Sequence, residues 1–249
     1  MHAFATAQEV EAYFASWDLR AEVWSYLTIH STRYSRLVQS ARAARAGTRS
    51  GETAQILDVG TFLQTELLRR GVPEALIHSS SHPSVERWGA WGPIQEGAQH
   101  FSFDLNNSQD RERWGQAGPY DVVVMAEVIE HLYTAPTLVL ACVASWLAPG
   151  GRLVIQTPNA IALDKRVRLL CGRHPYDTIK EDPAMAGHFR EYTVAELEAV
   201  AGAAGLRLID CTVENYFALT TPRRRALKRV TGLLPPSLRD GITATFQRA

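Results

Sequence analysis

The chain has 249 residues, of which 46% are hydrophobic and 21% are charged. This is the composition of an ordinary soluble globular protein, with enough length for one sizeable core. The 26 basic and 26 acidic residues balance to a formal net charge of +0, so no global charge favours nucleic acid or an anionic membrane as a partner. The three cysteines indicate neither a disulfide framework nor a zinc cluster. Without a visible signal peptide or an apolar run of about 18–20 residues, the sequence predicts a cytoplasmic protein with no membrane span.

The first segment of the chain has a helical pattern. Between residues 7 and 46, apolar residues recur at spacings of three and four, most clearly in "AEVWSYLTIHSTRYSRLVQSARAARAG". A polar, glycine-containing stretch, "GTRSGET", follows at residues 47–53 and predicts a linker. We therefore expect an N-terminal helical extension over residues 1–50 and a second domain over residues 54–249.

After residue 54, short β-branched runs alternate with helical segments. The runs are "QILDVG", "ALIHSS", "HFSFDL", "YDVVVMAEV", "GRLVIQTPN", "LRLIDCTV" and "GITATFQ". Near-continuous apolar strands with intervening helices predict an α/β fold: a Rossmann-like, mostly parallel sheet of seven strands with helices on both faces. Because ligands of such sheets bind beyond the carboxyl ends of the strands, candidate functional residues are sought there.

The strand ends carry four stretches in this order: "ILDVG", "FDLNN", "YDVVVMAEVIEHL" and "LAPGGRLVIQTPN". Their order and spacing resemble those of class I S-adenosylmethionine (SAM)-dependent methyltransferases, and the resemblance covers about residues 54–249. The later stretch "GHFREYTVAELEAVAGAAGLRLID" is similar to the helix and strand that follow in small-molecule methyltransferases. The family implies a SAM-dependent enzyme, most simply an O-methyltransferase of a bacterial biosynthetic pathway. The implied acceptor is a hydroxyl of a sugar, a glycan intermediate or a secondary metabolite.

The resemblance also implies a cofactor site. Its residues are Asp58, Gly60, Thr61, Ser79, Asp104, Leu105, Ala126, Glu127 and Val128. In this assignment Asp58 organises the first loop around the SAM ammonium, although it could instead only cap the following helix. Asp104 accepts a hydrogen bond from the adenine amino group and Leu105 donates one from its backbone, although an acid before two asparagines also forms an Asx turn.

Two features depart from the family pattern. The usual G-x-G-x-G loop is replaced by "GTFLQ" from Gly60, so that Phe62 occupies the second glycine position. Phe62 either folds into the core or blocks the methionine site, and we predict that it turns away. The acid that normally ends strand two is replaced by the serine run at 79–81, a loss worth roughly 1.5–3 kcal/mol of charged hydrogen bonding. Other candidates for that role are His78, His82 and Glu86.

On the acceptor side, an oxygen nucleophile benefits from alignment and from a base. Two histidines are candidate general bases, His131 in "EVIEHL" and His188 in "GHFREY", and each could instead be a structural contact. Candidate substrate-binding residues are Arg190, Tyr192, His174 and Tyr176. No Asp/His cluster of the catechol-methyltransferase kind is evident, so the sequence predicts no metal. The basic run at 223–230 is interpreted as a solvated helix face rather than a phosphate or lipid contact.

The expected partners are a small-molecule substrate and, as a possibility for the N-terminal segment, a second copy of the chain. The aromatic residues of that segment are expected to lie over the pocket as a lid and to help select the acceptor, with a packing extension or dimer contact as alternative. The departures in the cofactor loops motivate another reading, a repurposed methyltransferase fold that binds SAM, its product S-adenosylhomocysteine (SAH) or a partner without methyl transfer. A nicotinamide-dependent oxidoreductase fits less well because the loop lacks G-x-G-x-x-G.

Overall fold

The computed structural model describes residues 3–48, 53–83, 94–115, 117–176, 178–181, 187–217, 233 and 235–249. The candidate Glu86 and the basic run at 223–230 lie outside the described residues. The helices of the described part are α1 (Ala7–Phe14), α2 (Ala21–Ala46), α3 (Leu63–Gly71), α4 (Pro136–Trp146), α5 (Leu163–Leu170) and α6 (Val194–Ala203). Its strands are β1 (Ala54–Val59), β2 (Ala75–Ser81), β3 (His100–Ser102), β4 (Tyr120–Ala126), β5 (Leu147–Pro158), β6 (Leu206–Glu214) and β7 (Gly241–Arg248).

The strands form one sheet in the order β3-β2-β1-β4-β5-β7-β6. The pairs from β3 to β5 are parallel, whereas β7 runs antiparallel to both β5 and β6. The chain moves outward from β1 to β3 and then returns to place β4 on the other side of β1. This reversal is the topological switch point, beside which open α/β sheets bind their ligands. The predicted seven-stranded, mostly parallel, Rossmann-like sheet is confirmed.

Both faces of the sheet are covered by helices, as predicted. Because side chains alternate along a strand, Leu57 of β1 packs on one face in a cluster that includes Val143 of α4 and Leu197 of α6. Its neighbour Ile56 packs on the other face in a cluster that includes Ala41 of α2. The alternation explains why the central strands are apolar throughout, since neither of their faces meets water.

The long helix α2 joins the N-terminal segment to the sheet. Its second half contributes to the core cluster on the face shared with α3. Its first half forms a separate apolar cluster with α1 and α3, which includes Phe14, Leu27 and Leu67. Between these two halves, the backbone carbonyl of Arg33 accepts a hydrogen bond from Gln156 Nε2 of β5 at 3.2 Å. The helix therefore crosses the carboxyl end of the sheet. The division into 1–50 and 54–249 stays a prediction.

The segment before α6 is held against the carboxyl ends of β4 and β5. The helix begins with a capping box, in which Thr193 Oγ1 accepts from the Glu196 backbone N–H and Glu196 accepts from the Thr193 N–H. Upstream, the backbone N–H of Phe189 donates to the carbonyl of Glu130 at 2.8 Å, and Tyr192 pairs with Asn159 in an isolated bridge. These contacts bring His188 next to His131. Within the described ranges, no helix has the length and apolar character needed to cross a bilayer.

Candidate active site

The turn after β1 requires glycine at position 60. Gly60 has φ +86°, and a Cβ built there would lie 2.7 Å from Cγ2 of Val128, so the loops after β1 and β4 touch at this point. Thr61 is buried. Phe62 precedes α3, and its ring meets that of Tyr26 edge to face with centroids 5.4 Å apart. The side chain that replaces the second family glycine therefore packs against α2.

Asp58, near the end of β1, is an acid in an apolar setting. It has no exposed surface, and its Oδ2 accepts a hydrogen bond from Thr65 Oγ1 at 2.6 Å. Its other oxygen, Oδ1, has no partner. Burial raises the pKa of Asp58 to about 7, against smaller lowering effects of the Thr65 hydrogen bond and the charge of Arg69. A cation placed at Oδ1 would relieve this cost.

The serines at the end of β2 form hydrogen bonds with a histidine of the neighbouring strand. Ser79 Oγ lies 2.8 Å from His100 Nδ1, and Ser81 Oγ lies 3.2 Å from His100 Nε2, so one imidazole links both hydroxyls. The ring of His78 is bonded to Gln55 Oε1 at 2.7 Å and is largely buried. The predicted role of Ser79 in cofactor binding stays a prediction, and its hydroxyl already has this partner.

Asp104 stands at the end of β3 and begins a short 3₁₀ helix, Leu105–Gln109. Its Oδ1 accepts from the Asn106 backbone N–H at 2.8 Å, which is the Asx turn considered from sequence. Its Oδ2 faces His82 Nε2 at 3.5 Å. His82 lies directly beyond β2, whereas His78, the other described candidate for the place of the missing ribose acid, lies within the strand. Leu105 is buried beneath this turn.

The loop after β4 carries a strained residue and two carboxyl groups that each have a buried, unpartnered oxygen. Glu127 follows Ala126 with φ +55°, a conformation that is uncommon outside glycine and concentrates at functional sites. Its Oε1 is buried without a partner. Glu130 has no exposed surface; Thr157 Oγ1 donates to its Oε2 at 2.9 Å, while its Oε1 has no partner. Burial, and then the charge of Glu127, raises the pKa of Glu130 well above its usual range.

A buried cation from α2 faces these carboxylates. Arg33 is 2% exposed, its guanidinium lies 4.4 Å from the centroid of the Tyr34 ring, and its Nε donates to His30 Nδ1 at 3.2 Å. Burial, and then the charge of Arg33, lowers the pKa of His30 to about 3, so that His30 is a neutral acceptor. Arg33 interacts electrostatically with Glu127, but among the described residues it forms no ion pair within 4.0 Å. Sequence reasoning missed this residue because nothing in "STRYSR" distinguishes it from a surface arginine.

Several buried polar atoms along these strand ends and the crossing part of α2 lack a hydrogen-bond partner. They are Arg33 Nη1, Tyr34 OH, Asp58 Oδ1, Glu127 Oε1, Glu130 Oε1 and Gln156 Oε1. Folded proteins pair most of their buried polar groups, so each exception requires an explanation. A set that contains one cation and three carboxyl groups is suited to a polar ligand that carries both charges.

The two predicted general bases, His131 and His188, contact each other beside these strand ends. The rings of His131 and His188 are nearly perpendicular, with centroids 4.8 Å apart. His131 Nδ1 lies 2.8 Å from the carbonyl oxygen of Gly187, which can only accept, so Nδ1 carries the hydrogen and Nε2 keeps its lone pair. Burial and the neighbouring His188 lower the pKa of His131. His188 Nδ1 lies 3.0 Å from Glu191 Oε1, which orients its ring in the same way.

The predicted substrate-binding residues have different environments. Lys165 Nζ lies 5.7 Å from the centroid of the Tyr176 ring, and Lys165 also pairs with Glu191. The Arg190 guanidinium is bonded to Glu196 at 2.6 Å. His174 is exposed, and its ring contacts that of Tyr176. Tyr192 is buried in the core. Their substrate roles stay predictions.

A surface cleft also lies at the opposite end of the sheet, lined by residues that include Gly47, Asp121, Gly151 and Arg207. It is located at the amino ends of β4 and β5, whereas open parallel sheets bind ligands at the carboxyl ends. We therefore place the candidate site at the carboxyl ends, where the unpartnered charged atoms lie.

Comparison with known proteins identifies the family to which the chain belongs. A family described as a methyltransferase domain matches residues 30–210. The chain belongs to this methyltransferase family. It is 27% identical over 181 residues to a ubiquinone biosynthesis O-methyltransferase of Xanthomonas axonopodis pv. citri, covering 71% of this chain and 70% of the relative. A protein of the same name from Xylella fastidiosa is 29% identical over 185 residues, covering 66% and 72%.

Solved structures of methyltransferases share the fold. A SAM-dependent methyltransferase from Archaeoglobus fulgidus superposes with a TM-score of 0.53 at 13% identity, covering 90% of this chain and all (100%) of that one. One from Mesorhizobium loti gives a TM-score of 0.52 at 14% identity, covering 83% and 96%. Together with the family match, this likeness confirms the resemblance to class I SAM-dependent methyltransferases. The family match begins inside α2, so it includes the part of that helix that supplies Arg33.

Proposed function

We propose that this protein is a SAM-dependent O-methyltransferase that acts on a hydroxyl group of a small molecule. The observation that carries the proposal is the set of unpartnered, buried charged atoms at the carboxyl ends of β1 and β4, in a chain of the methyltransferase family. Uncharged acceptors would leave these groups unpaired, whereas the amino-acid end of SAM offers an ammonium and a carboxylate. The site therefore fits the cofactor by charge.

The residues that would hold SAM follow from this charge pattern. Asp58 Oδ1 and Glu127 Oε1 are free to accept from the ammonium, and Arg33 Nη1 is free to donate to the carboxylate. Gly60 keeps the loop after β1 close to Val128. The predicted adenine contacts are Asp104 and Leu105, with Thr61, Ser79 and Ala126 as the remaining predicted residues along these loops. A bound zwitterion would supply partners for groups whose desolvation is otherwise uncompensated.

SAM supplies a methyl group that its sulfonium already activates. The new C–O bond forms as the C–S bond breaks, SAH is the product, and the hydroxyl proton must leave the acceptor oxygen. His131 and His188 lie on the acceptor side with Nε2 available, and Glu191 orients His188 much as a carboxylate orients a catalytic histidine. This pair is the proposed activating group for the acceptor hydroxyl.

The acceptor class follows from the surroundings and from the relatives. Tyr26 stacks on His30 with centroids 3.9 Å apart, and His30 also contacts Phe217, so α2 lines its side of the region with aromatic rings. The curated relatives are named for ubiquinone biosynthesis. We therefore include phenolic hydroxyls with the sugar, glycan-intermediate and secondary-metabolite hydroxyls predicted from sequence. A cytoplasmic location, a homodimer and the absence of a nucleic-acid partner stay predictions.

Calorimetric titration of the full chain with SAM and SAH tests the donor site. We expect micromolar binding that weakens about 10- to 100-fold in Asp104→Ala, the change associated with one lost charge-assisted hydrogen bond. Asp110→Ala is the matched control because Asp110 caps the next 3₁₀ turn and is half exposed. Transfer of a labelled methyl group to a panel of sugar and phenolic alcohols then identifies the acceptor. No binding at millimolar SAH would refute the proposal.

A further inference from the structure

His30 lies on the first half of α2, one turn before the residue that contacts β5. Its ring stacks on that of Tyr26, with centroids 3.9 Å apart and an angle of 17° between the planes. Phe217, in the segment after β6, meets the His30 ring edge to face at 5.2 Å. Tyr26 in turn contacts Phe62 of the loop after β1. The imidazole of His30 therefore has an aromatic border supplied by α2 and by the segment after β6.

One hydrogen bond fixes the tautomer of His30. The Nε–H of Arg33 can only donate, and it lies 3.2 Å from His30 Nδ1. Nδ1 is therefore the acceptor, and the neutral ring carries its hydrogen on Nε2. Burial, and then the charge of Arg33, lowers the pKa of His30 to about 3, so the ring stays neutral. Within the described part of the chain, Nε2 forms no hydrogen bond of its own.

The two candidate bases have the opposite polarity. His131 Nδ1 lies against the carbonyl of Gly187, and His188 Nδ1 lies against Glu191. Both rings therefore present a lone pair at Nε2, whereas His30 presents a hydrogen there. A base and a fixed donor around one acceptor molecule select its orientation, because the hydroxyl must face the base and a lone-pair oxygen must face the donor.

Glu127 connects the face of α2 that carries His30 with the candidate bases. Tyr26, His30 and Arg33 are spaced four and three residues apart, so they share one face of the helix. Glu127 interacts electrostatically with Arg33 and with His188, and Tyr26 interacts with Glu127. This face of α2 is therefore directed toward the loop after β4, beside which the bases lie.

We propose that His30 is a specificity-determining residue, whose Nε2–H donates a hydrogen bond to a second oxygen of a phenolic methyl acceptor. The inference rests on the proposed function and deepens it, since it states what the acceptor must carry besides its hydroxyl. A carbonyl or ether oxygen supplies the required lone pair. An alkyl group in the same place would leave a desolvated donor without a partner, which is how polar sites reject analogues.

Probe pairs of matched shape test the donor. The ortho, meta and para isomers of methoxyphenol are compared with the same isomers of ethylphenol, which lack the ether lone pairs. Calorimetric titration of the full chain, with and without saturating SAH, gives the affinity for each probe. We expect at least one methoxyphenol to bind about 2- to 12-fold more tightly than its ethyl partner, the effect of one neutral hydrogen bond.

Two substitutions separate the donor from the ring. His30→Phe keeps an aromatic ring against Tyr26 and removes the Nε2–H, so it should abolish the preference for the methoxy probe. His30→Gln should retain a preference, because its side-chain amide also carries N–H donors. Arg36→Met is the matched control on the same helix, since Arg36 pairs with Glu214, and it should leave the preference unchanged.

NMR of the full chain labelled with ¹⁵N-histidine reports the tautomer directly. The signals of His30 are those missing from the spectrum of His30→Gln. We expect the form with hydrogen on Nε2 at neutral pH, with Nδ1 as the acceptor. A ring that carries its hydrogen on Nδ1 would overturn the proposal, because His30 would then present a lone pair to the acceptor.

SAH titration of the same proteins separates this inference from the proposed function. No methoxy preference in any pair, or a preference that persists in His30→Phe, would overturn the role of His30, and retained SAH binding would leave the donor site standing. A preference that His30→Phe abolishes, in a chain that fails to bind SAH, would sustain the role of His30 and overturn the cofactor proposal. Cooperative thermal unfolding of His30→Phe shows that this variant is folded.

Discussion

Arg33 should discriminate between ligands that carry the amino-acid end of SAM and ligands that lack it. Its Nη1 is buried and unpartnered, so it can make one new charge-assisted hydrogen bond, worth about 1.5–3 kcal/mol. Arg33→Met removes this donor and keeps much of the apolar stem. We expect SAH binding to weaken about 10- to 100-fold, whereas 5′-methylthioadenosine, which has no carboxylate, should bind both proteins equally.

Calorimetry with the two ligands measures this difference directly. Arg36→Met is the matched control, because Arg36 also lies on α2 but pairs with Glu214 at a partly exposed site, and it should alter neither affinity. Thermal unfolding at the assay pH checks that Arg33→Met is folded, since it removes a cation from among buried carboxylates. Equal weakening of both ligands, or unchanged SAH binding, would refute the assignment of Arg33 to the carboxylate.

Other predictions concern the loop, the acid and a helix cap. Gly60→Ala should lower the free energy of unfolding by roughly 1–3 kcal/mol in urea titrations, and adding Val128→Ala should restore part of it; a neutral Gly60→Ala would contradict the loop geometry. Asp58 has a pKa of about 7 when folded and 3.8 ordinarily, so the folded chain holds a proton that the unfolded chain releases between about pH 4 and 7. Its contribution to stability therefore falls as pH rises through that window, by at most about 1.4 kcal/mol per pH unit, and urea titrations at several pH values should find a flatter profile in Asp58→Asn. Thr193→Ala removes the cap of α6 and should cost about 1 kcal/mol of unfolding free energy; the same loss in Thr178→Ala, outside the helices, would argue against a capping effect.

Much of the fold could be predicted because its signals are local. The alternation of apolar runs with helical spacing identified all seven strands of the described sheet, and "GTRSGET" lies between α2 and β1. The order of the motifs identified the methyltransferase fold even without the glycine-rich loop. For Phe62 the sequence left two conformations open, because the direction of a loop side chain depends on its neighbours. In the structure its ring packs against Tyr26 of α2.

The candidate site was less predictable. Asp58 and Asp104 could be placed at strand ends, because the ends of parallel strands are recognisable from pattern. The contacts of Ser79 with His100, and of Arg190 with Glu196, could not be anticipated, since each depends on which faces of two elements meet. A serine or arginine at a strand end or loop has the same local sequence whether it faces a ligand or a neighbour.

By itself, the sequence determined the strands, the helices and the methyltransferase pattern, because periodicity and turn residues act over a few positions. The tertiary structure alone decided that Arg33 faces the carboxylates after β4, and that His188 meets Glu130 and His131. These groups are distant in sequence and carry no shared motif. These residues can be recognised as a site only in the folded chain, where α2 and the bridge between Tyr192 and Asn159 bury them together. An unpartnered charged group is costly only when it is buried.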